Sequence, residues 1–253
     1  MYSVSQLKQI INQQRQNYRS FTRKVRIRLS IDEAKISHLK PTIDVKKKWY
    51  GSSYGGFFVC PEYVNNESVV YSFGIGKDIS FDRKVIAKHG CKVHGFDPTP
   101  KSINYIKAMP VADSFSFFDY GIASKTGVVK FFLPKNEKAV SASLVVSDVV
   151  DEENFVEAKM KSFADITADL GHQQVDVLKM DIEGAEYEVI DSLLNSNVVI
   201  RQLLVEFHDR LFTDEIKSKA TVRLLQKNGF EIFGASLNYE EISFINTKLL
   251  PRA

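Results

Sequence analysis

The chain has 253 residues, enough for one or two domains with a sizeable buried core, which excludes a disulfide-stapled miniature. With 44% hydrophobic and 26% charged residues it is composed like an ordinary globular protein, not a disordered or collagenous one. The net charge of +3 divides unevenly: residues 1–48 hold twelve Lys/Arg against three acids, while the other 205 residues carry 22 basic and 28 acidic groups. A basic N-terminal segment therefore joins a mildly acidic body.

No apolar run approaches the roughly 18–20 residues of a membrane span, and the N-terminus is polar and basic without a secretory hydrophobic region. A cytoplasmic protein without a membrane span is expected. Cys60 and Cys91 have neither paired nor metal-type spacing and are expected as free buried thiols. From the N-terminus, Val4, Leu7, Ile11, Tyr18 and Phe21 fall near one helical stripe, which predicts a helical arm. Lys24, Arg26 and Arg28 then alternate with Val25, Ile27 and Leu29, as either a strand or the continuation of a basic amphipathic element. Residues 49–58, WYGSSYGGFF, read as a Gly/aromatic loop. Residues 1–66 form the basic extension and loop, and residues 67–253 an α/β domain.

From residue 68, short apolar strands alternate with helical segments, the pattern of βαβ units and a mainly parallel sheet. Strands are predicted at Val69–Phe73, Lys92–Phe96, Ser116–Tyr120, Val175–Met180 and Gln202–Phe207. Helices are predicted at Ser80–His89, Pro100–Lys107, Phe163–Leu170, Ala185–Leu194 and Thr213–Lys227. Ser162 with Asp165 has the form of a capping box, and Gly171 suits the end of that helix. Val128–Leu133 and Ser143–Val146 read as strands of an excursion, and Phe230–Ala235 with Glu241–Ile245 as a terminal hairpin.

Three motifs carry chemistry. In VVYSFGIGKDIS, a buried strand runs through Gly74 and Gly76 into a helix, a turn that lets backbone approach a ligand. Asp97 follows Gly76 by 21 residues at the end of the next strand, where a carboxylate accepts hydrogen bonds from both hydroxyls of an adenosine ribose. The dinucleotide fingerprint requires a third glycine where Ile79 stands, which counts against NAD. S-adenosylmethionine, which has no pyrophosphate, fits the looser turn better. In DVLKMDIEGAE a strand ends at Asp181, and in LLVEFH another ends at Glu206 and His208. Ligands bind at the carboxyl ends of strands in open α/β sheets, so Asp181, Glu183, Glu206 and His208 should face the crevice beside the glycines.

The combination of YSFGIGKDISFD, HGFDPTP, DVLKMDIEGAEYEVI and LLVEFH resembles the FkbM-type family of S-adenosylmethionine-dependent methyltransferases, over about residues 50–247. The resemblance implies a class I methyltransferase (Rossmann-like) fold: a mainly parallel seven-stranded sheet with its last strand antiparallel and helices on both faces, here with an N-terminal helical extension. Carried over position by position, Phe73, Gly74 and Gly76 resemble the cofactor turn, Asp97 with its neighbour Pro98 the ribose site, and Asp119, Tyr120 and Gly121 the surroundings of the adenine. The implied activity is methyl transfer, usually to an oxygen of a small molecule, sugar or peptide.

Methyl transfer from a sulfonium is an in-line displacement in which alignment supplies much of the rate. A hydroxyl acceptor must lose its proton, and His208 is the candidate base, with Asp181 and Glu206 to orient acceptor or cofactor. No metal ligands are assigned; a divalent cation held by these acids and His208 is an alternative that is not favoured without fixed ligand spacing. Glu186 and Glu188 read as helix-start surface acids. Tyr54 in the upstream loop would place an aromatic face near the sulfonium. The basic arm reads first as a packing element, a possible homodimer contact, then as an attractor of an anionic acceptor or membrane surface; nucleic acid has no supporting module. The other functional classes are a non-catalytic cofactor- or ligand-binding module and an NAD-dependent oxidoreductase.

Overall fold

The computed structural model describes residues 32–134, 150–212 and 215–251. The predicted helical arm, the alternation at Lys24–Leu29 and the predicted strand at Ser143–Val146 lie outside the described residues.

The described part of the chain begins with a four-residue helix, Glu33–Ile36, and an antiparallel pair, β1 (Lys48–Tyr50) and β2 (Phe57–Val59). The domain then runs β3 (Val69–Phe73), α1 (Ser80–His89), β4 (Lys92–Phe96), α2 (Pro100–Lys107) and β5 (Phe115–Phe118). An excursion follows: β6 (Gly121–Ile122), β7 (Gly127–Pro134) and β8 (Val150–Lys161) form a separate sheet with β8 in the middle. The chain returns through α3 (Phe163–Leu170), β9 (Gln174–Met180), α4 (Glu186–Leu194), β10 (Val199–Glu206), α5 (Lys217–Lys227), β11 (Phe230–Ala235) and β12 (Glu241–Asn246).

The central sheet has the order β11-β12-β10-β9-β3-β4-β5. β12 is antiparallel to both its neighbours, and the other described pairs are parallel. This is the class I methyltransferase sheet that the resemblance implies. Its strands are apolar almost throughout because both faces are covered. Tyr71, Phe73, Leu178, Met180, Leu203 and Val205 pack on one face against Phe163 and Ile166 of α3, Val189, Ile190 and Leu193 of α4, and Val222 and Leu225 of α5. Val70, Val93, Val177, Leu204 and Ile245 pack on the other against Phe81 and Val85 of α1, Ile106 of α2, and Tyr50, Phe57 and Val59 of the hairpin.

Several boundaries differ from the sequence reading. β10 begins three residues earlier than predicted, at Val199, and α5 begins at Lys217. The third parallel strand is Phe115–Phe118, so Asp119 and Tyr120 lie beyond its end. Ser162 caps α3 by accepting the Asp165 N–H at 3.1 Å, but the Asp165 carboxylate turns to the Thr126 hydroxyl instead of closing the box. β8 was not anticipated. The Gly/aromatic stretch is the turn of the β1–β2 hairpin, and its strands hold real core positions: Phe57 and Val59 are fully buried against β10–β12. Cys60 and Cys91 are free and buried.

The upstream chain is tied into the sheet by hydrogen bonds. Thr42 and Ile43 donate their N–H groups to the Ile232 carbonyl at 2.8 and 3.1 Å, which covers the edge strand β11. The buried Gln202 amide brackets the Cys60 peptide: Cys60 N–H donates to Oε1 at 2.7 Å, and Nε2 donates to the Cys60 carbonyl at 3.1 Å. Gln202→Leu leaves both backbone groups buried and unpaired, so urea unfolding should show a loss of roughly 2–4 kcal/mol, whereas unchanged stability would show the bracket contributes nothing.

Candidate active site

The parallel register decides which residues meet. Phe73 pairs with Phe96 on one side and Met180 on the other, and Met180 with Val205. The next residues in the row are therefore Asp97, Gly74, Asp181 and Glu206, with Glu241 opposite Glu206 on the reversed strand. Gly74 has φ +77°, and a Cβ on it would stand 1.7 Å from the Asp181 carbonyl oxygen. Only glycine lets β3 and β9 finish this close together. Gly74 N–H donates to the Phe96 carbonyl at 3.0 Å, and the buried Lys179 ammonium donates to the Gly74 carbonyl at 3.0 Å. Gly76 N–H donates to Asp97 Oδ2 at 2.9 Å, while Asp97 Oδ1 accepts the Thr99 N–H and hydroxyl at 2.8 and 2.6 Å. The carboxylate is thus rigidly held, with lone pairs left for a ligand.

Above this row lies a cavity of about 430 Å³. Tyr54, Phe73, Gly74, Gly76, Asp97, Pro98, Gly121 and Asp181 all line it. Tyr120 does not: its ring packs on Phe96 and Phe118, with the Lys161 ammonium over one face. Ile122 and Met160, from the excursion sheet, and Lys77, Asp78 and Thr99 line the cavity without having been singled out in the sequence. The β1–β2 turn closes one side. Ser52 donates its hydroxyl to Asp78 Oδ2 at 2.6 Å and its N–H to Ser80 Oγ at 2.7 Å, and it holds the Tyr54 and Gly55 N–H groups on its own hydroxyl. Burial would raise the Asp78 carboxyl, but hydrogen bonds from Ser52 and Ser80 outweigh it and hold its pKa below the usual range.

Beside the cavity the acids gather around His208, whose side chain is fully buried. Its Nε2 lies 3.5 Å from Glu183 Oε2, 3.5 Å from Glu206 Oε1 and 3.7 Å from Asp181 Oδ1, and it has no hydrogen-bond partner among the described residues. Nδ1 lies 3.1 Å from Glu186 Oε1. Glu186, read from the sequence as a surface acid at a helix start, is completely buried. It accepts the His208 N–H at 2.9 Å and the Gly184 N–H at 2.8 Å, so its charge is stabilised by backbone donors rather than by water. Glu188 is exposed, as read. Glu183 has φ +51°, an uncommon backbone for a residue with a Cβ, and Gly184 beside it has φ +98°.

Arg210 lies 3.9 Å from both Glu183 and Glu206 and 3.1 Å from Glu240. Burial lowers the pKa of an imidazole, yet the hydrogen bond and charge of Glu186, followed by the charges of Glu206 and Glu183, carry the His208 pKa above its ordinary value. Burial and then the Asp181 charge raise that of Glu206, against the pull of His208. Tyr54 is 76% exposed, and partial desolvation at the cavity mouth, then the charges of Asp181, Glu206 and Glu183, raise its hydroxyl.

With this geometry in hand, comparison with known proteins gives a match to the Methyltransferase FkbM domain over residues 62–232. The chain belongs to the FkbM methyltransferase family. Probable methyltransferase-like protein 24 of Homo sapiens is 26% identical over 164 residues, covering 64% of this chain and 38% of that protein. Its counterpart in Rattus norvegicus is 27% identical over 141 residues, covering 55% and 32%. The chain thus spans well under half the length of these relatives. Among solved structures, methyltransferase FkbM from Methylobacillus flagellatus KT is similar with a TM-score of 0.46 and 11% identity, covering 72% of this chain and 44% of that one.

The FkbM match includes Gly74, Asp97, Asp181, Glu186, Glu206 and His208, and leaves out Tyr54 and Glu241. The two turn glycines separate the roles of space and backbone in this FkbM site. Gly74→Ala drives a methyl into the Asp181 carbonyl and should cost more than about 2 kcal/mol in denaturant unfolding. A Cβ at Gly76 meets nothing within 4 Å, so Gly76→Ala should cost only about 1–2 kcal/mol for its φ of +55°. Equal effects would contradict the close approach of β3 and β9.

Proposed function

We propose that this chain binds S-adenosylmethionine in the 430 Å³ cavity and transfers its methyl group to a hydroxyl of a small molecule or sugar. The observation that carries the reading is the juxtaposition, at one end of the sheet, of a glycine cradle with Asp97 and of a carboxylate group that borders the same cavity. The residues fit this cofactor. Gly76 lines the cavity with open space where a side chain would be, and Asp97 is held with free lone pairs for ribose hydroxyls. Ile122 and Met160 add an apolar wall suited to an adenine. Asp181, with Glu183 beside it, supplies negative charge for the amino group and sulfonium.

The same features disfavour a dinucleotide. Ile79, where the third glycine would stand, is buried in the core, and the Lys179 ammonium in the cavity wall is committed to the Gly74 carbonyl. When bound, S-adenosylmethionine supplies an electrophilic methyl and leaves as a neutral thioether. The chain's own residues must align the acceptor and accept its proton. Asp181 borders the cavity, and Glu206 and His208 stand behind it, so the proton passes into this coupled group while His208, fully buried, steadies the charge. So acidic a surround favours a neutral acceptor over an anionic one.

Calorimetric titration of the full chain should show S-adenosylmethionine binding, weakened at least about tenfold in Asp97→Ala, where a charge-assisted pair of hydrogen bonds is lost. Methyl transfer from labelled cofactor to a panel of hydroxylated acceptors should fall about a hundredfold or more in Glu206→Gln with cofactor affinity largely kept, since Glu206 stands behind the cavity wall. Absence of S-adenosylmethionine binding, or binding of a nicotinamide dinucleotide in its place, overturns the reading.

A further inference from the structure

We propose that Asp181, Glu206 and His208 form a divalent-cation site, with Glu183 as a further oxygen donor, for a hard or borderline ion such as Mg²⁺ or Mn²⁺. One ligand atom from each of the first three residues lies within 4.8 Å of the others. Acidic clusters are common without a metal, and the deciding feature is the imidazole. His208 Nε2 is fully buried, has no hydrogen-bond partner among the described residues, and points at three carboxylates 3.5–3.7 Å away. That separation is too long for direct hydrogen bonds and suits an ion between the groups. Ligand atoms around an ion at about 2.1 Å sit roughly 3 Å apart when adjacent and roughly 4 Å when opposite, so inward shifts of up to about an ångström complete the site.

The opposite ring nitrogen is arranged accordingly. Glu186 Oε1, 3.1 Å from Nδ1, is placed to accept an Nδ1–H hydrogen bond, and in that tautomer the Nε2 lone pair is directed into the cluster, as an outer carboxylate arranges for a metal-bound histidine. Gly184 and His208 N–H groups hold Glu186 in place. The local charge asks for a cation as well: among the described residues, Asp181, Glu183, Glu186 and Glu206 are answered by Arg210, at 3.9 Å from two of them, by the Lys179 ammonium held on the Gly74 carbonyl, and by His208 if protonated, which still leaves the acids in excess. The cavity adjoins at Asp181, so an acceptor hydroxyl could bind the ion and lose its proton more readily; this role, unlike the site, rests on the methyl-transfer reading.

The test titrates chelator-stripped full chain with Mn²⁺, following the electron paramagnetic resonance signal of the free ion. One Mn²⁺ per chain is expected, displaced by Mg²⁺, with pulsed measurements showing hyperfine coupling to a single imidazole nitrogen. His208→Gln and Glu206→Gln should each weaken Mn²⁺ at least about tenfold. The nitrogen coupling reads the site in the wild-type chain, so it does not depend on the variants folding. No Mn²⁺ bound at millimolar concentration, as for a buried imidazolium bridging the acids, overturns the site, as does bound Mn²⁺ without nitrogen coupling. Calorimetry with S-adenosylmethionine in the presence of chelator reads the other proposal separately. Cofactor binding without Mn²⁺ binding refutes the cation site alone, and Mn²⁺ binding without cofactor binding refutes the cofactor reading alone.

Discussion

The cavity end of the molecule depends on how closely two parallel strands finish. β3 and β9 are hydrogen-bonded neighbours up to Phe73 and Met180, and the next residues, Gly74 and Asp181, still touch through backbone atoms. Any side chain at Gly74 would wedge the strands apart and break the row that aligns Asp97, Asp181 and Glu206. Lys179 reinforces the contact from below, with its ammonium on the Gly74 carbonyl at 3.0 Å. A buried ammonium is expensive unless paired, so its placement at the turn fixes that turn firmly.

The register that builds the site also concentrates charge. Glu206 and Glu241 face each other across β10 and β12, an arrangement that like charges make unfavourable. Asp181, one strand away, adds to the repulsion. The protein answers with donors rather than with distance: Glu186 takes two backbone N–H groups, and Arg210 reaches across three acids. Glu183 adopts a positive φ at the same place. Repulsion and backbone strain gathered at one edge, with a firm apolar sheet beneath, are the usual pattern of a site that gives up stability for function.

What the sequence made legible follows from these same forces. Apolar runs ending in Gly74, Asp97, Asp181 and Glu206 could be read because a buried parallel strand must be apolar and its polar end must emerge at the crevice. Helices α1 to α3 were read to their observed ends because apolar spacing and caps such as Ser162 and Gly171 mark them locally. β8 was not read: its VDEENFVEAKMK sequence is acidic, lacks a clean period of two and is defined by pairing with β7 and β6. Met160 and Ile122 were missed with it. The hairpin strands are three residues each, too short for a period to show among glycines. Glu186 reads as a surface acid because its position on α4 is locally that of one; its burial depends on contacts distant in sequence, among them the turn that brings the His208 N–H and ring onto its carboxylate.

The upstream hairpin bears on where the working unit begins. The family match starts at residue 62, yet Phe57 and Val59 fill one face of the sheet, Cys60 is bracketed by Gln202, and Tyr54 with Gly55 lines the cavity. The stretch of sequence that identifies the family is therefore shorter than the stretch that folds around the cavity. A fragment cut at the start of the recognisable motifs would carry every signature residue of the turn and the acids. It would also present a bare apolar face where the hairpin had been, and a cavity with one wall removed.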